Sequence, residues 1–285
     1  MPTNGDSAAG TILEGLPSTT RQYPYKGLED FWSQVDQERE RFRNDQTRDS
    51  SDYVIFTSVD NQAFTRDFDD TTKHKSSWRL FNSYESSSQL LLVRAVTTEE
   101  HETAHTGLFN LMVVKLAGMD GAHMKLVPTG KAEVKTASRT KKADQAFRPR
   151  ERPHGRPKLW PTLVMVVEYH QSSAKLESDA RWWLTESEGD VKTVLTISVN
   201  RKKPEIVIQK WGPASAGNNF PSVLQQVVIS RPGGHPETAV ANAPLVLPFE
   251  SLFLRQPVGV ECDVLFTDSD LIWLAEVQVW GAQKF

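Results

Sequence analysis

Two acids stand where metal-assisted chemistry would need them. Asp144 lies in Lys141-Lys142-Ala143-Asp144-Gln145-Ala146-Phe147, and Glu168 falls near the end of the almost continuous apolar run 162–169, TLVMVVEY. Such a run reads as a strand buried on both faces. A carboxylate at its end is costly unless something pairs with it, and a divalent cation is one such partner. Two acids from neighbouring strands can hold Mg2+ or Mn2+, which would activate a water and stabilise charge on a phosphate. Side chains alternate along a strand, so Val166, Glu168 and His170 share one side, and position 170 is where a helper beside Glu168 would stand. The plainer reading of each acid is a solvated strand end or the partner of an arginine.

A second constellation offers different chemistry. His101-Glu102-Thr103-Ala104-His105 has the HExxH spacing. On a helix its two histidines share a face and could bind Zn2+, with Glu102 as general base of a metallopeptidase. Against this, the motif falls in the first turns of its helix, behind Glu99 and Glu100, and position 111 is Leu where a metzincin needs His. A third ligand would have to come from Asp120, His123 or Glu133, none marked by a motif. A hydrogen-bonded core histidine is the plainer role for each.

Charge is concentrated around Asp144. Residues 131–158 carry ten basic side chains against three acids, a local charge of +7 in a chain of net charge -3. Lys141, Lys142, Arg148, Arg150, Arg152 and Arg156 are the candidates for gripping a nucleic-acid backbone, since phosphate contacts carry affinity and register rather than sequence information. A solvated loop is the bland alternative.

The elements that must position these residues are legible in part. Residues 1–25, rich in Ser, Thr, Gly and Pro, read as a flexible arm, and 26–43 as an amphipathic helix. Strands are expected at 53–59, 78–84, 89–96, 162–169, 191–199, 205–211 and 223–229, with short ones at 124–127 and 132–137. The clearest helix is 98–119, with its acids in the first turn; others are expected at 172–187 and 269–278. This order suits a mixed α/β fold, a mixed sheet flanked by helices. We expect an N-terminal arm plus helix over 1–50 and one main domain over 51–285, with its core at about 78–211. No Gly-rich phosphate loop is seen; Gly233-Gly234 sits among prolines as a turn. The one cysteine, Cys262, excludes an internal disulfide and a Cys-rich zinc site. No secretory signal and no run of about 18 apolar residues is present, so an intracellular protein, cytoplasmic or nuclear, with no membrane partner is expected.

Asp144, the stretch 159–168 (LWPTLVMVVE), 179–184 (DARWWL), 247–255 (LPFESLFLR) and Cys262-Asp263-Val264 resemble a group of fungal proteins. Their core is similar to the Uma2-type branch of the PD-(D/E)xK nuclease superfamily. The resemblance spans roughly 78–280. It implies a restriction-endonuclease-like core with extra N- and C-terminal elements. It also implies Asp144 and Glu168 as the acids for Mg2+ or Mn2+, and Asp179 nearby on the following helix. His101 would open the first helix, with Glu100 or Glu102 as helix acid. The lysine expected two residues after the Glu is His170 here; in some branches it migrates to the next helix, where Lys175 or Arg181 stand. The expected activity is hydrolysis of nucleic acid, DNA before RNA. A catalytically degenerate module that binds nucleic acid or protein, and the zinc peptidase, remain as alternatives.

Overall fold

A computed structural model describes residues 11–70, 72–169, 173–213, 220–233 and 237–281. In chain order the strands and α-helices are β1 (Arg21–Pro24), α1 (Leu28–Asn44), β2 (Tyr53–Thr57), α2 (Asn61–Phe64), α3 (Lys75–Leu80), β3 (Phe81–Glu85), β4 (Leu90–Arg94), α4 (Glu99–Ala117), β5 (Leu126–Gly130), β6 (Glu133–Lys135), β7 (Arg139–Lys142), β8 (Gln145–Pro149) and β9 (Leu163–Glu168). There follow α5 (Ala174–Glu186), β10 (Thr193–Val199), β11 (Glu205–Gly212), β12 (Ser222–Ser230), β13 (Ala239–Ala241), β14 (Leu245–Leu247), α6 (Phe249–Phe253), β15 (Val264–Phe266) and α7 (Asp268–Trp273). The expected mixed α/β class, with mixed sheets flanked by helices, is what folds.

The chain forms two compact units. The smaller comprises Leu16–Thr98 and Glu133–Ala143. Its sheet has the order β1-β2-β4-β3-β7-β6. Phe31 and Val35 of α1 pack with Val54, Phe56, Phe68 and Leu91 in its core. Two local expectations are corrected here. Arg21–Pro24, expected within a flexible arm, pairs in parallel with β2. Trp78 belongs to a helical turn rather than a strand, its indole donating to Glu133 at 2.8 Å.

The larger unit comprises Met1–Gly15, Glu99–Ala132 and Asp144–Phe285. Its sheet has the order β13-β12-β11-β10-β9-β8-β5. β9 and β10 run parallel, and the neighbouring pairs are antiparallel. Parallel neighbours need a crossover, which α5 supplies. All six residues of β9 are buried, as its unbroken apolar sequence requires. Alternation divides them between two faces. Leu163, Met165 and Val167 join Ala104, Leu108, Met112 and Leu116 of α4. Val164 and Val166 face the other way, towards α5, which packs on β9 and β10 through a side bearing Leu176, Ala180 and Trp183. Trp183 meets Trp160 and Trp182 edge-on, with ring centroids 6.0 and 5.1 Å away.

At the end of the chain, Thr267 and Asp270 form a reciprocal capping box that starts α7. A π-helical turn, Leu274–Val279, continues it. Gly107 of α4 allows the close crossing there: a Cβ at that position would lie 2.7 Å from Leu274 Cδ1.

Candidate metal and phosphoryl-transfer site

β8 begins at Gln145, opposite Met165, so β9 runs on past its neighbour. Asp144 fills the gap. Its amide donates to the Met165 carbonyl at 3.2 Å, and its Oδ2 accepts from the Val167 amide at 2.8 Å. The carboxylate thus replaces a missing strand partner and is held one residue from Glu168. Its other oxygen, Oδ1, lies 3.2 Å from His101 Nε2 in the first turn of α4. Glu168 ends β9 with its backbone in register with Ser198 of β10, and it is buried, as is Asp144.

The first turn of α4 is tied to this corner a second time. Tyr169 Oη donates to Glu100 Oε1 at 3.4 Å. The Arg201 guanidinium lies over the Tyr169 ring, 5.6 Å from its centroid. Tyr169 and Arg201 carry no motif. Arg201 lies just after β10, at a position where solvent exposure is the ordinary expectation, yet it is buried.

On the same helical turn, Glu102 lies between two imidazoles. Its Oε1 is 3.4 Å from His101 Nδ1 and its Oε2 is 3.5 Å from His105 Nε2. Lys131 Nζ is 3.8 Å from Oε1. The His101 and His105 rings, then the Lys131 ammonium, hold the Glu102 carboxyl well below its usual range despite its partial burial. His101, Glu102 and His105 offer ligand atoms all within 4.8 Å of one another. Helical geometry explains this: residues four apart share a face and residue 102 flanks it.

The other expected residues are placed differently. Lys175 is buried on α5 and forms an ion pair with Asp179, one turn along. His170 lies outside the described residues. Lys141 and Lys142, expected on a phosphate-facing stretch, are buried in the smaller unit. Lys141 Nζ donates to Ser83 Oγ at 3.3 Å. Lys142 Nζ sits 3.6 and 3.4 Å from the Trp78 and Phe81 ring centroids. Strand β7 turns these two cations inward, so they do not present a basic surface. Arg156 is held by Asp190 at 3.0 Å and lines a cavity of about 630 Å3 with His154, Lys192 and Glu250. Arg150 is exposed, and Arg148 and Arg152 are half-buried.

No protein-family profile and no curated protein sequence matches the chain. Among solved structures, it is similar to a protein from Anabaena variabilis ATCC 29413 described as a candidate nuclease belonging to DUF820. The TM-score is 0.35 and the identity 11%, over 68% of this chain and 90% of that one. Among the described residues, no helix is long and apolar enough to cross a membrane.

Proposed function

We propose that the protein is a divalent-metal-dependent phosphodiesterase acting on nucleic acid, with Asp144 and Glu168 as its metal-binding acids. The observation that carries this reading is the anchoring of Asp144 on the β9 backbone at Val167, beside Glu168, with His101 of α4 on its other oxygen. Two buried acids thereby stand at one strand end, and Asp144 also meets the first turn of α4. Their carboxylate oxygens are the ligand type a hard cation takes. Bound there, Mg2+ or Mn2+ would supply Lewis acidity and an activated water. The chain's own groups do the rest. His101 orients Asp144 and can relay a proton at Nε2. Arg148, Arg150 and Arg152, rather than the buried lysines, would meet the phosphate backbone. Position 170 remains the proposed site of the water-orienting group, because Lys175 is committed to Asp179.

The peptidase reading has less support. A peptidase base must be free to take a proton from water, whereas Glu102 lies between both histidines.

The test is incubation with single- and double-stranded DNA and RNA in Mg2+ or Mn2+. We expect cutting of DNA in particular, abolished by chelation and by Asp144→Asn. Cutting that survives Asp144→Asn at the wild-type rate, or wild-type protein that cuts none of the four, contradicts the proposal.

A further inference from the structure

The imidazole of His105 is unexplained by packing or by phosphodiester chemistry. The residue is 3% exposed. Neither ring nitrogen has a hydrogen-bond partner among the described residues. A buried imidazole left in that state loses the interactions water would have given it. The Glu102 carboxylate lies 3.5 Å from its Nε2, and the His101 ring stands edge-on with centroids 5.7 Å apart.

The two imidazole-to-carboxylate spacings are long for hydrogen bonds and near the donor separation on a small ion, and the imidazole nitrogens, within 4.8 Å of each other, would close on the ion as it enters. A good N–H···O bond is about 2.9–3.0 Å long. The two imidazole-to-carboxylate distances are 3.4 and 3.5 Å. Donors on a tetrahedral ion with bonds of about 2.0–2.1 Å lie roughly 3.3 Å apart, the edge of that tetrahedron. Two nitrogens and one carboxylate also form a donor set that borderline ions prefer, whereas Mg2+ takes oxygen.

We propose that His101, Glu102 and His105 hold a first-row transition-metal ion of the Zn2+ type, with Asp144 as the outer carboxylate that orients His101. His101 would ligate through Nδ1, because its Nε2 faces Asp144 Oδ1 at 3.2 Å. A carboxylate behind a ligating imidazole fixes the ring and raises its basicity. His105 would ligate through Nε2. Lys131 balances Glu102 in the absence of metal; its side chain is 37% exposed and free to swing into solvent when the ion enters. A fourth position remains for water or substrate, as in sites with three protein ligands. This site does not depend on the phosphodiesterase reading, although Asp144 would join the two.

The test uses full-length protein stripped with a chelator and dialysed against Zn2+ in the presence of millimolar Mg2+, without nucleic acid. Bound metal is measured directly, and Co2+ substitution reports the geometry through its visible d–d bands. We expect about one equivalent of Zn2+ and an intense tetrahedral Co2+ spectrum. His105→Gln and Glu102→Gln should each weaken binding at least ~10-fold, and Asp144→Asn by about 10–100-fold as an outer partner. Glu205→Gln, at an acid paired with Lys203 and part of neither site, should leave binding unchanged. Glu102 is 43% exposed, so its variant keeps the test open if His105→Gln does not fold. Zn2+ uptake unchanged in either of these two variants, no uptake by wild type, or loss of uptake in Glu205→Gln overturns the proposal. Failure to cut nucleic acid with Zn2+ uptake intact would count only against the phosphodiesterase.

Discussion

His101 does two things at once: its Nε2 holds Asp144 and its Nδ1 faces Glu102. Glu168 is legible as a site candidate because an acid closing an apolar run is costly without a partner, whereas Asp144, set among lysines, is singled out as a metal acid by the family resemblance. The lysines beside Asp144 misled for a complementary reason. A run of like charges reads as solvated, yet Lys142 gains from the faces of Trp78 and Phe81, and those rings are distant in sequence from the cation they stabilise. Glu261 gathers donors from Arg255 and the Val258 amide on its two oxygens. Arg255 hydrogen bonds, then the Val258 amide and Lys125, pull its carboxyl down to about 2 from the usual 4.5. A depressed folded-state value stabilises above the unfolded value and loses that stabilisation as pH falls towards the folded one. Urea midpoints of wild type and Glu261→Gln should therefore differ most above pH 4.5 and converge between pH 4.5 and about 2. A difference constant across that window would contradict the account.

At the scale of elements, α5 and α4 grip opposite faces of β9, and the site lies where β9 outruns β8. The Trp160, Trp182 and Trp183 cluster fastens α5 to its neighbours. Trp183 is fully buried. Trp183→Ala should cost about 3–5 kcal/mol, the range for a large aromatic removed from a core, measured by denaturant midpoint; a loss below ~1 kcal/mol would show that the tryptophan cluster does not fasten α5 as described. The long periodic elements were readable: β9, α4 and α5 stand within a few residues of their expected limits. Short elements were not. β1 exists because β2 offers it a partner, and no period within Arg21–Pro24 announces that. Trp78 follows its bond to Glu133 rather than the β-propensity of its neighbours.

At the scale of the whole molecule, the decisive feature is that β6 and β7 leave the larger sheet and join the smaller one, between β5 and β8. The stretch that reads as one basic ribbon is thus divided between two units, with Lys141 and Lys142 in one and Arg148 to Arg156 in the other. No local pattern encodes that division, because sheet membership is decided by partners far along the chain. Within the larger unit, α4, the antiparallel strands β5, β8 and β9, the crossover helix α5 and the parallel strand β10 carry the two acids at one strand end. The central claim, that this corner performs phosphodiester hydrolysis through Glu168 and Asp144, is tested most directly by single-turnover cleavage of end-labelled DNA in Mn2+ by wild type and Glu168→Gln, with binding followed in parallel. The account predicts cutting by wild type and a loss on the order of 100-fold or more in the variant, with affinity little changed. Equal cutting by both proteins would contradict it.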